Sequence, residues 1–205
     1  MKRKRFIMIL CIVAIMWVMH TLSKNFMVDP SFSAFLAKKD NILTNRETWI
    51  LIIQIHIILA LVALVTGPMG LIKRLRVKYL PFHKWNGRIY ILTIVLNFFP
   101  GVYVSFFASG GIASTIGFLL LNTLWISTTI LGYVSIRKNK LQQHIKWMTR
   151  SLFLSFANMT IYIIVAVTHY GFKFEYGLSY SIAVWLCWII NLLFAEWVIR
   201  KKILV

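Results

Sequence analysis

The amino-acid sequence predicts an all-α, polytopic transmembrane helical bundle that forms a single integral membrane domain over residues 1–205. Hydrophobic residues make up 60% of the chain and charged residues only 14%, whereas soluble domains carry about 25% charged residues. The apolar residues fall into runs of about 20, which is the length that crosses a bilayer as a helix. Short clusters of basic residues separate these runs, as is typical of membrane proteins.

Six apolar runs are long enough to span a membrane. We expect spans at 6–22, 48–71, 89–108, 113–135, 151–170 and 179–199, with an external loop at 23–47. The first run follows a basic cluster, which is also typical of a signal peptide. No small residues follow it at the spacing that cleavage requires, so we expect an uncleaved anchor.

The basic residues predict the orientation. Of the 23 Lys and Arg residues, 18 lie on one side of the predicted membrane and five on the other. Because basic segments are retained in the cytoplasm during insertion, both termini should be cytoplasmic. Interrupted clusters of this kind fit anionic lipid headgroups as partners better than nucleic acid.

Two basic connections are similar to each other. IKRLRVKYLPFHKWNGR (72–88) and IRKNKLQQHIKWMTR (136–150) each have a basic run followed by His, Lys, Trp and Arg. The similarity favours a parallel repeat of spans 2–3 and 4–5. Basic loops also become similar by chance under the topology rule, so both interpretations stay open.

Two histidines occupy matching places in these connections. His83 and His144 each precede an outgoing span, where we expect them in the first helical turn. Two neutral imidazoles on one axis are the metal ligands of a low-spin b-type haem, and nearby Trp85, Trp147 and basic residues could hold the ring and propionates. The competing interpretation is an ordinary interfacial belt of His, Trp, Lys and Arg.

A third histidine, His56, lies about 12 Å from the outer end of span 2 at 1.5 Å per residue. A polar side chain at that depth is costly unless it faces the bundle interior. Amides lie at similar depth in spans 2 to 6, at Gln54, Asn97, Asn122, Asn158 and Asn191. These side chains predict either a ring of interhelical hydrogen bonds or a pocket for a haem edge, a quinone or another small polar ligand.

Acidic side chains are almost missing from the predicted spans. Glu196 is the one carboxylate there, and Arg200 four residues later offers an ion pair along the helix. Ion-coupled transporters usually need acids near the midplane, so that class is the third choice. No complete catalytic motif is present.

Three stretches, HIILALVALVTGP (56–68), HKWNGRIY (83–90) and HIKWMTRS (144–151), resemble a large bacterial family of predicted membrane proteins classified as domain of unknown function 2306. The resemblance covers about the middle half of the chain. It implies a helical bundle in the bacterial cytoplasmic membrane, with a histidine in each motif and no established activity.

The chain also resembles, more loosely, the b561-type dihaem cytochromes, whose ligands lie on four central helices. This resemblance implies that spans 3 and 5 supply one histidine pair, as His83 and His144 could. Span 4 has Asn122 and no histidine, so at most one haem is implied.

The leading functional hypothesis is therefore a small b-type haem membrane protein that transfers electrons. The alternative is a non-redox membrane protein, either structural or small-molecule-binding, whose histidines only form hydrogen bonds.

The distribution of basic residues makes the topology testable. We predict that the C-terminus and the connections at 72–88 and 136–150 lie in the cytoplasm. Reporter fusions at the C-terminus, or labelling of single cysteines placed in each connection, should report that side. An external C-terminus would contradict the six-span arrangement.

Overall fold

The structure is a computed structural model that describes residues 3–37 and 45–204. Its described residues form helices and connecting turns, without a strand. Five helices are long and apolar enough to cross a membrane, and there are six spans if one bent helix pair is counted as a span. The predicted fold class, a polytopic transmembrane helical bundle, is confirmed.

The helices follow one another with short connections. In chain order they are α1 (Arg3–Leu22, continued by a π-helix at Ser23–Val28), α2 (Ser33–Leu36), α3 (Arg46–Met69), α4 (Lys73–Val77), α5 (Leu80–Ser105), α6 (Gly111–Arg137), α7 (Leu141–Leu154), α8 (Ala157–Val165, continued by a π-helix at Ala166–Gly171) and α9 (Tyr176–Arg200). The starts of α1, α5 and α7 share one end of the bundle with α4 and the C-terminus of α9. We call this the basic end.

Two helices begin well before the apolar runs that predicted them. Helix α5 begins at Leu80 rather than 89, and α7 begins at Leu141 rather than 151. Hydropathy predicts only the apolar part of a helix that lies in the lipid. The helix itself can continue through polar turns at the membrane surface, because its backbone hydrogen bonds do not depend on apolar side chains. As a result, His83 and His144 are each the fourth residue of their helix.

The fifth span is bent by 40° between α7 and α8. At the bend, Ser155 Oγ donates to the Leu152 carbonyl at 2.6 Å. The Ser155 N–H is shared between the carbonyls of Ser151 and Leu152, at 3.2 Å each. Such back-bonding loosens the helical ladder and bends helices, which explains why the predicted single run at 151–170 is broken.

The connection between α1 and α3 is shorter than the loop predicted at 23–47, because helix continues to Val28 and α3 begins at Arg46. Residues 38–44 lie outside the described part. Asp29 caps α2 by accepting from the N–H groups of Ser33 and Ala34 at 2.8 and 2.9 Å. The rings of Phe32 and Phe35 then pack on Trp49 of α3. This connection is therefore fastened to the bundle.

The central spans pack as two hairpins. Helix α3 packs mainly on α5, α6 packs mainly on α7, and α5 against α6 joins the hairpins. Small residues permit close approach: a β-carbon at Gly67 of α3 would lie 2.7 Å from Leu152 and 3.1 Å from Tyr90. Helices α5 and α7 have little backbone contact, so their side chains must bridge the space between them.

Candidate functional site

The two histidines that the sequence singled out both lie at the basic end of the bundle, each in the first turn of its helix. His83 lies within electrostatic range of both His144 and Arg76. Its ring nitrogen Nδ1 is buried and has no hydrogen-bond partner among the described residues. Because a buried ring nitrogen without a partner is costly, a hydrogen bond or a metal bond to this Nδ1 would be stabilising.

His144 is held by the backbone of the neighbouring helix. Its Nδ1 lies 2.9 Å from the carbonyl oxygen of Gly132 on α6. A carbonyl only accepts, so Nδ1 carries the hydrogen in this bond. In the neutral ring this assignment leaves the lone pair on Nε2, which is the arrangement that metal-binding histidines commonly have.

Two turns farther into the membrane, a chain of hydroxyl groups joins α5, α6 and α7. Tyr90 Oη lies 2.7 Å from Ser151 Oγ, and Ser151 Oγ lies 2.7 Å from Thr129 Oγ1. Thr129 Oγ1 donates to the Trp125 carbonyl at 2.7 Å. One consistent direction runs through the chain: Tyr90 donates to Ser151, Ser151 to Thr129, and Thr129 to the backbone.

A second bond closes this group, because Trp125 Nε1 donates to the Ser151 carbonyl at 3.1 Å. All four side chains are buried, and those of Thr129 and Ser151 have no exposed surface. We call Tyr90, Trp125, Thr129 and Ser151 the hydroxyl cluster.

Two residues of this cluster belong to the two histidine motifs, but the sequence did not predict the cluster. Tyr90 follows His83 by seven residues, and Ser151 follows His144 by seven residues. Helices α5 and α7, which carry the two motifs and which we call the motif helices, therefore face each other at two pairs of matching positions. The first pair is His83 and His144, and the second is Tyr90 and Ser151. Aligning the two motifs on their histidines would have paired Tyr90 with Ser151.

Near mid-membrane, the His56 ring on α3 lies against the side chain and backbone of Asn97 on α5. The contact does not have good hydrogen-bond geometry. His56 Nδ1 and both side-chain heteroatoms of Asn97 are buried without a well-aligned partner. A water molecule or a small polar ligand bound beside this pair could form hydrogen bonds with all three of these buried atoms.

The remaining amides do not complete the expected ring with His56 and Asn97. Asn122 lies nearer the other end of the bundle, where its Nδ2 donates to Ser105 Oγ at 3.3 Å. Asn191 on α9 accepts from Thr160 Oγ1 at 3.0 Å. The midplane cluster is therefore divided into separate pairs, which is a correction to the sequence-based expectation.

Two of the amides lie away from the interior. Gln54 Nε2 donates to the Pro30 carbonyl at 3.3 Å in the connection between α1 and α3. Asn158 is exposed, because the inward face of α8 is formed by Ala157, Thr160 and Ile161. The position of a residue in the sequence predicts its depth along the helix, but it does not predict the direction in which the side chain points around the helix axis.

Glu196 also has a different partner from the one expected. It binds Arg150 of α7, with 2.6 Å between Oε1 and Nε, rather than Arg200 on its own helix. The Arg150 guanidinium also lies 4.4 Å from the centroid of the Trp147 ring. This ion pair links the second motif, HIKWMTRS on α7, to α9.

The described residues contain no cluster of three or more His, Cys, Asp or Glu side chains that could hold a metal ion. A haem needs only two axial ligands, since the porphyrin supplies the others. His83 and His144 fit that requirement in residue type and, for His144, in tautomer, and they lie within electrostatic range of each other. Arg76 adds a cation beside His83 that could pair with a propionate.

The different burial of Asn191 and Asn158 can be tested with a matched pair of alanine substitutions. Asn191→Ala removes the buried acceptor of Thr160, so we expect a loss of about 0.6–1.7 kcal/mol of stability. Asn158→Ala removes an exposed amide and should leave stability unchanged or higher. Thermal unfolding of both variants in the same detergent measures the difference; equal losses would contradict the outward placement of Asn158.

Comparison with known proteins agrees with this architecture. No curated protein and no solved structure matches the chain significantly, so the looser likeness to b561-type cytochromes has no support there. A family model described as "Predicted membrane protein (DUF2306)" matches residues 53–199, which is well over half of the chain and includes all three histidine motifs. The chain belongs to this family of predicted integral membrane proteins.

Proposed function

We propose that this membrane protein carries electrons by means of a b-type haem held between His83 and His144. The observation that supports the proposal is that these two rings, at matching positions of α5 and α7, lie within electrostatic range of each other. A bound haem would supply one-electron transfer.

The surroundings of each ring support this assignment. The Gly132 carbonyl holds His144 through Nδ1 and leaves Nε2 for the metal, as an outer-shell hydrogen bond does in haem and zinc sites. His83 has a buried nitrogen that still needs a partner.

The proposal does not include a quinone site. A shared mid-membrane pocket was the reason to expect one, and the amides are divided among separate pairs. We place the basic end in the cytoplasm of a bacterial cell, because positive residues concentrate there.

A second candidate function is a non-redox membrane protein that binds a small polar molecule beside His56 and Asn97. The incompletely bonded atoms of this buried pair favour it. The hydroxyl cluster supports it further, since four side chains already join the motif helices without a ligand. In this case His83 and His144 would contribute packing and hydrogen bonds only.

Absorption spectroscopy separates the two functions. The parent protein, expressed with ample haem and reduced with dithionite, should show the bands of low-spin b-type haem at equimolar haem and protein. His83→Ala and His144→Ala should each abolish these bands, because a low-spin iron needs both axial imidazoles.

His169→Ala is the matched control. His169 Nδ1 also lies near a backbone carbonyl, that of Phe174 at 2.8 Å, but at the opposite end of the bundle. Its replacement should leave the spectrum unchanged. A folded parent protein without haem bands would contradict the electron-transfer function and favour the binding protein.

A further inference from the structure

The connection between α6 and α7 concentrates positive charge at the basic end. Helix α6 ends at Arg137 and α7 begins at Leu141, and we call residues 137–146 the polar turn. Its four cations are all exposed: Arg137, Lys138, Lys140 and Lys146. None of them forms an ion pair within the described ranges, where Arg150 and Glu196 are the one pair.

The acidic groups of the chain are too few to neutralise the polar turn. The chain has five Asp and Glu residues against 23 Lys and Arg. Glu196 is paired with Arg150. Three other acids belong to the opposite end of the bundle: Asp29, Glu47 and Glu175. Asp40 and the terminal carboxylate of Val205 lie outside the described residues, and together they are two negative charges against four cations. The polar turn therefore keeps an excess of positive charge.

The start of α7 adds to this charge. Lys140 is the N-cap residue, and the first turn has neither a side-chain cap nor an acidic residue. The N–H groups at a helix N-terminus carry a partial positive charge, which carboxylates stabilise. The His144 N–H donates to the Lys140 carbonyl at 3.0 Å, so this surface lies one helical turn from a candidate haem ligand.

The polar turn differs from the matching segment of the first motif. The four residues before His83 are YLPF (79–82), whereas those before His144 are KLQQ (140–143), and all eight are exposed. Exposed aromatic residues beside cations are typical of a segment at the level of the lipid headgroups. Within the polar turn, Leu141 is the one large apolar side chain that is exposed. Insertion topology accounts for cations in both connections but not for this difference, which favours a partner in water.

We propose that the polar turn is the docking surface for an acidic soluble protein that carries single electrons. Carboxylates of such a partner would face the four cations and the N-terminus of α7, and this complementarity accelerates encounter and fixes the orientation of the complex. The distance of one helical turn to His144 suits an electron carrier. The electron-carrying role of the partner rests on the proposed haem function, whereas the docking requires no haem.

Binding of an acidic electron carrier to the full chain tests the proposal. The chain is placed in nanodiscs of phosphatidylcholine, which adds no net charge, with acidic flavodoxin as the probe and basic cytochrome c as its control. Flavodoxin should bind at low salt and dissociate as salt screens the charges, and cytochrome c should not bind. K138Q/K140Q should weaken flavodoxin binding about tenfold, since an exposed ion pair contributes about threefold.

The matched control is K73Q/R74Q, which removes two exposed cations of α4 at the same end and should change binding less than about twofold. Equal weakening in both double variants would indicate general surface charge and overturn the proposal. Absence of flavodoxin binding to the parent at low salt would overturn it as well.

Acetylation of exposed amines locates the contact on the parent chain, without a variant. Bound flavodoxin should protect Lys138, Lys140 and Lys146 but not Lys73. If phosphatidylglycerol in the nanodisc protects the three lysines and flavodoxin does not, the polar turn binds lipid headgroups and the proposal is wrong. Docking by a chain that shows no haem bands would support the docking surface and contradict the electron-transfer function alone. Haem bands without docking would contradict the docking surface alone.

Discussion

The contact between Tyr90 and Ser151 places the two motif helices relative to each other. Helices α5 and α7 have little backbone contact, so this buried bond at 2.7 Å, with its continuation to Thr129, sets their axial register. Each motif histidine precedes its hydroxyl residue by the same seven positions. Fixing one pair at equal depth therefore brings His83 and His144 to equal depth as well.

The lipid environment explains why polar side chains in the spans are satisfied locally. With no water in the hydrocarbon region, every hydroxyl must find a partner inside the protein. Thr66, Thr93 and Thr128 donate to carbonyls of the preceding turn of their own helices. The unsatisfied atoms of His56, His83 and Asn97 are exceptions to this pattern, as are single atoms of Thr21, Ser179, Trp188 and Asn191. A ligand or cofactor at the candidate sites would provide partners for those of His56, His83 and Asn97.

Hydropathy and loop charge predicted six spans and the helices that carry His83 and His144, because apolar length is a local property of the chain. The direction in which each side chain points around its helix axis is set by tertiary neighbours. For that reason Asn158 and Asn191, predicted at similar depth, differ in exposure, and Glu196 pairs with Arg150 rather than Arg200. The sequence did not predict a role for Ser151 or Thr129, because single hydroxyl residues are common in apolar helices. Their role becomes visible only when their hydrogen-bond partners are known.

A double-mutant cycle on Tyr90→Phe and Ser151→Ala tests most directly whether this bond joins the motif helices. Each substitution removes one hydroxyl group while largely conserving volume. Because both groups are buried and belong to a continuous chain, the unfolding free energies should show a coupling of about 1 kcal/mol or more, above the roughly 0.6 kcal/mol average for membrane hydrogen bonds. Effects that add within about 0.3–0.5 kcal/mol, the range for independent sites, would contradict the account.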